Sequence, residues 1–209
     1  MEASAPAAAH IEPEPREWQP RALWVGARLL CGAAAFFFMA FVFAYFYLRS
    51  LNESGMWHPA NVKPDQTLGA VVVACVVVSA LLAIVAGRQM RGHSRGWVVA
   101  ASGSLLLGLA AVAVQCIQYT VQHFGPTDGG YASVFYSWTA LYMIAVLATM
   151  YWLETQVATE LRARRAPASA HGDIADPDRL IAPGLDAVVF FWSYLAGIGV
   201  VTWVTLYLV

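Results

Sequence analysis

Histidines, cysteines and carboxylates are the residues of this 209-residue chain best suited to chemistry, and their placement is the first observation. All five histidines, His10, His58, His93, His123 and His171, fall in polar stretches outside the long apolar runs. Imidazoles that ligate haem or copper within a bilayer must be held at membrane depth, and none is. The cysteines Cys31, Cys75 and Cys116 lie in three separate apolar runs without any Cys-x-x-Cys spacing. That pattern argues against a disulfide or metal framework and for small, polarizable packing residues. Proton relays and transporters carry acids or bases facing the bundle interior. Here Arg28, Arg49, Glu154 and Asp186 sit within a turn or two of the ends of apolar runs. No residue is therefore assigned a catalytic, metal-ligating or cofactor-holding role.

Some polar residues do enter the apolar runs. Gln115, Gln118 and Gln122 recur at helical spacing beside Tyr119, and Ser133 and Ser137 stand four apart on the following run. The simplest expectation is a hydrogen-bonded cluster between those two helices, each bond contributing about 0.6 kcal/mol. The alternative is a small polar pocket for a lipid headgroup or a partner subunit. Asp186, in Leu-Asp-Ala-Val-Val, is expected at a helix start, where the macrodipole favours an acid by about 0.3–1 kcal/mol. Arg49, closing the first run, is read as a snorkelling anchor, or as the partner of a lipid phosphate or of an acidic group on a neighbouring subunit.

The elements that carry these residues follow from composition. The chain is 59% hydrophobic and only 12% charged, against about 25% charged in soluble domains. A helix needs about 20 apolar residues to cross the hydrocarbon core. Stretches near Leu23–Leu48, Thr67–Ala86, Trp97–Tyr119, Tyr131–Leu153 and Leu185–Val209 meet that need. They do not alternate in polarity as barrel strands do. The expected fold is all-α: a polytopic membrane domain over residues 23–209, five transmembrane helices in a bundle, preceded by a disordered cytoplasmic tail over residues 1–22. That tail lacks the basic start of a cleavable signal. Arg162–Pro183, rich in Ala, Pro and Asp, reads as a surface loop. Small residues at Gly32 and Ala35, Ser104 and Gly108, and Gly197 and Gly199 mark expected helix contacts.

Ten basic residues flank one set of helix ends and two, Arg49 and Lys63, the other. Positive charge stays on the cytoplasmic side, so the N-terminus is expected inside and the C-terminus outside a cell membrane. A formal net charge of −1 gives no sign of nucleic-acid binding. No matched pair of Gly/Pro-broken helices, the mark of a secondary transporter, is present.

Three stretches together resemble subunit III of the haem–copper respiratory oxidases, the cytochrome c and quinol oxidases. Ala44–Arg49, AYFYLR, is similar to the close of a family helix. Gly129–Leu153 resembles the family's Tyr-Gly-Ser-x-Phe-Phe run and the helix after it, and the last stretch with Asp186 resembles the closing helix. The chain looks like the shorter, five-helix form. It departs from the family where the latter carries ionisable groups. Those positions fall on Ala34, Gln118, Tyr142, Ala145 and Pro183, leaving Asp186 alone.

The resemblance implies a non-catalytic accessory subunit that binds and stabilises the catalytic subunit I and supports electron transport and proton uptake. Haem and copper are then expected in the partner subunits, I and II, with phospholipid as a bound component of this one. The alternative is a subunit-III-like accessory protein of nitric oxide reductase, to which the lost acids are less of an obstacle. A small transporter is a third reading, for which only Gln115, Gln118 and Ser137 begin a polar path.

Overall fold

The computed structural model describes residues 18–52, 55, 57–59, 62–94, 96–165 and 178–209. Five helices make up the fold: α1 (Trp18–Ser50), α2 (Gln66–Arg91), α3 (Trp97–Val121), α4 (Gly130–Arg165) and α5 (Asp178–Tyr207). Each is long and apolar enough to cross a membrane. All backbone N–H and C=O groups of such a segment are satisfied within it, which makes the helix the default in hydrocarbon.

Helices α4 and α5 each pack on three others, α5 on α1, α2 and α4, and α4 on α1, α3 and α5, while α3 lies between α2 and α4. Among the other helices, α1 packs on α4 and α5. Only 11% of its apolar stretch is buried, against 33–50% in the other four, so most of its apolar surface faces outward. The core between the helices is aromatic and tightly filled, with Phe135, Trp138, Trp192, Leu185 and Leu195 wholly or almost wholly buried.

The ends of the bundle differ. At one end α1 closes on α5 through Arg49 Nη1, which donates to the Val209 carbonyl at 2.9 Å. Gln66 Nε2 at the start of α2 donates to the Tyr207 carbonyl at 3.2 Å, and the Tyr131 hydroxyl at the start of α4 donates to the Leu206 carbonyl. Asp65 caps α2, its Oδ1 accepting from the Thr67 and Leu68 amides, which leaves two of the first-turn donors satisfied. At the opposite end α2 and α5 meet through Arg91 and Asp186.

Several sequence expectations shift. Helix α1 begins at Trp18, inside the stretch expected to be a tail; residues 1–17 lie outside the described residues. The expected loop Arg162–Pro183 is helical at both edges, because α4 runs to Arg165 and α5 starts at Asp178; residues 166–177 lie outside the described residues. The reason for the long α4 is local. Residues 154–165 are mostly good helix formers, the Glu160–Arg164 pair at 2.6 Å spans one turn, and Arg162, Arg164 and Arg165 sit where the dipole favours cations. At 1.5 Å per residue its 36 residues reach about 54 Å, well past a hydrocarbon core of about 30 Å. Val157 on this projecting end is buried, and Gln156 lies against Gly184 of α5.

The small residues divide. Ser104 and Gly108 are buried, with Met150 packed directly over Gly108, and Gly199 receives the Tyr142 ring. Gly32 and Gly197 have no neighbour within 4 Å, so those two expected contacts are absent among the described residues. Spacing identified small residues, but only the rotation of each helix decides which of them faces a partner.

Candidate functional site

A polar seam runs down the inside of the bundle from the Arg49 end, and it contains several of the residues singled out in the sequence. Gln118 is its centre and is completely buried. Its Nε2 donates to the Asp65 carbonyl at 3.1 Å, in the connection leading to α2. Its Oε1 accepts from the Tyr207 hydroxyl at 3.0 Å and from Gln115 Nε2 at 3.1 Å. One amide thus ties α3 to α5 and to the start of α2. An amide suits this position because it donates and accepts at once.

Beside it, Thr139 donates to the Phe135 carbonyl one turn back and meets the Tyr119 hydroxyl at 2.7 Å, joining α3 to α4. Deeper still, the Tyr142 hydroxyl donates to the Leu195 carbonyl at 3.1 Å, joining α4 to α5. Gln115, Thr139, Tyr142 and Tyr207 line a cavity of about 20 Å³. That is room for one water and nothing larger.

A second buried cluster had no forecast. Ser79 Oγ donates to the Ser104 carbonyl at 2.6 Å, lies 3.0 Å from Ser104 Oγ, and accepts from Trp192 Nε1 at 3.1 Å. It locks α2, α3 and α5 together. A signal for it existed: Ser79 is the lone hydroxyl in the apolar run from Leu68 to Ala86.

The expected pairing of the glutamines with Ser133 and Ser137 is overturned. Ser133 is exposed and donates to the Pro126 and Gly129 carbonyls at 2.6 and 3.1 Å, within its own connection. Ser137 is exposed too. Helix α4 turns Phe135, Trp138, Thr139 and Tyr142 inward, so the α3–α4 contact is Tyr119 with Thr139, and the glutamines reach α5 instead. Gln122 lies past the end of α3, and its amide meets no hydrogen-bond partner among the described residues.

Asp186 is also re-read. It lies eight residues into α5, beyond the first turn where a dipole acts, so the helix-start explanation fails. Its partner is Arg91 of α2, with Oδ1 and Nη1 2.5 Å apart. Both side chains are partly exposed, so the pair fixes the two helix ends more than it stabilises them. Arg49 meets a main-chain oxygen of Val209, two residues past the end of α5, rather than an Asp or Glu side chain.

No group of three or more His, Cys, Asp or Glu side chains arranged for a metal ion occurs among the described residues. What this arrangement can do chemically is hold helices in register. Its bonds run among amides, hydroxyls and main-chain carbonyls, while the Gln122 amide and the indole N–H groups of Trp138 and Trp203 are buried without a partner among the described residues.

No family model matches the chain. Over 133 residues it is 25% identical to the cytochrome c oxidase subunit 3 of Pyricularia grisea, a stretch covering 61% of this chain and 49% of that protein. The match thus spans about half the length of the curated relative. The chain is similar in sequence to subunit 3, and that relationship is subunit-III-like in scope.

Proposed function

We propose that this protein is a non-catalytic, subunit-III-like accessory subunit of a haem–copper respiratory oxidase. The observation that carries the reading is the 133-residue similarity to a cytochrome c oxidase subunit 3, in a chain with five helices long and apolar enough to cross a membrane. In this role the chain stabilises the catalytic subunit I in the cell membrane. Electron transfer and proton uptake belong to the assembled complex, with haem and copper held by subunits I and II. The N-terminus lies in the cytoplasm and the C-terminus outside.

A second reading rests on Gln118 and Tyr142. Both are neutral where the resembled family carries ionisable groups, and both make protein hydrogen bonds in the polar seam. A subunit-III-like accessory protein of nitric oxide reductase accommodates that loss, since it need not serve a pumping oxidase.

Affinity purification of the tagged chain from its native membrane in mild detergent decides between them. Co-purification of a large subunit with two haems and copper is the expected result. Non-haem iron with haem supports the reductase reading. Recovery of the chain alone, without haem absorbance, overturns both.

A further inference from the structure

Helix α5 carries two tryptophans, Trp192 and Trp203, eleven residues apart, which is about three turns and nearly the same face. Their indole N–H groups meet different fates. Trp192 Nε1 donates to Ser79 Oγ of α2 at 3.1 Å. The Trp203 ring is only half-buried, yet its Nε1 is buried and has no partner among the described residues. A buried donor without an acceptor is destabilising, and native structures rarely leave one. Trp203 lines the cavity of about 20 Å³ in the polar seam. The α2 residues that line it too are Gly69, Val72, Val73 and Val76, none with a side-chain acceptor.

We propose that one ordered water occupies this cavity and bridges Trp203 of α5 to Gln115 of α3. The cavity wall holds the acceptors that such a water needs. Gln115 uses an N–H on Gln118 and keeps its Oε1 as an acceptor. The Tyr142 and Thr202 hydroxyls donate to the Leu195 and Ile198 carbonyls, and each keeps lone pairs that can accept. The water takes the indole proton in a hydrogen bond and donates its own two, one to Gln115 Oε1 and one to either hydroxyl. About three bonds is the usual complement of a buried water, and about 10–15 Å³ is enough to hold it. Trp138 Nε1 and the Gln122 amide also lack partners among the described residues, but neither residue lines this cavity, so the water is assigned to Trp203. Where Ser79 serves Trp192 directly, a water does the same for Trp203, and α3 is joined to α5 a second time.

Solution NMR of the full chain in deuterated detergent, isotope-labelled at the indole nitrogens, tests this. The Trp203 Hε1 signal, identified by its loss in Trp203→Phe, is expected at a downfield, hydrogen-bonded shift with a cross-peak to a long-lived water. Gln115→Leu should remove that cross-peak and move the signal upfield. Ser79→Ala, which acts on Trp192, should leave it unchanged. Absence of the cross-peak in the unaltered chain overturns the proposal. So does a cross-peak that Gln115→Leu leaves intact, because the contact is then with a neighbouring hydroxyl. If either variant does not fold, sequential assignment of the unaltered chain identifies the same signal, and presence or absence of the water cross-peak decides. The chain alone is assayed, so the outcome is independent of which complex it joins.

Discussion

Ser79 shows what one hydroxyl contributes in an apolar bundle. It serves two neighbouring helices, giving to the Ser104 carbonyl and taking from the Trp192 indole. Removing it leaves a buried N–H of Trp192 with nothing to bond, while the lipid-inserted unfolded chain also finds partners for such groups. Ser79→Ala should therefore lower stability by about 0.6–1.7 kcal/mol in detergent unfolding. Gly199 is constrained more sharply. A Cβ there meets the Tyr142 hydroxyl and ring, so Gly199→Ala forces a shift costing about 1–3 kcal/mol. Combining it with Tyr142→Phe should recover part of that loss, visible as coupling in a double-mutant cycle. An additive outcome would mean that the two residues do not press on each other.

At the scale of helices, charge and packing act at different places. The Arg91–Asp186 pair joins the ends of α2 and α5, with 58% and 36% of the respective side chains exposed. Solvent at that exposure leaves a coupling of about 0.2–1 kcal/mol. A cycle over Arg91→Gln and Asp186→Asn should find it at low salt and lose most of it at 1 M salt, where the screening length is about 3 Å. A coupling that survives 1 M salt would assign the pair to a drier environment. The packing counterpart is α1. It is covered by α4 and α5 along one side only, with Phe36, Met39 and Phe43 among its exposed residues. In hydrocarbon that exposure carries no hydrophobic penalty, because lipid tails are as apolar as the side chains.

For the molecule as a whole, the charge asymmetry of its loops, ten basic residues against two, predicts an orientation with the N-terminus inside. In a chain whose three cysteines are replaced by Ala, Gly125→Cys should react with a membrane-impermeant maleimide in intact cells. Ser94→Cys should react only after permeabilisation. The reverse pattern would invert the topology. Both positions lie in connections, at opposite ends of the bundle, so neither change disturbs a buried contact.

That the chain forms five helices long and apolar enough to cross a membrane was written in the sequence. Length and polarity of an apolar run are local properties, and a helix satisfies its own backbone, so five spans were legible without knowing their neighbours. The lack of imidazole and carboxylate in the middle of those runs was legible for the same reason. Pairing was not. Gln115, Gln118 and Tyr119 stood out as polar, yet their partners proved to be Asp65, Tyr207 and Thr139 rather than Ser133 and Ser137. Asp186 looked like a helix start until α5 was seen to begin at Asp178 and Arg91 to lie opposite. A partner depends on how far each helix is rotated about its axis and on which helix lies beside it. Those quantities are set jointly by the packing of all five helices. The sequence thus determined where the polar groups lie along each helix, and the tertiary structure decided which of them meet.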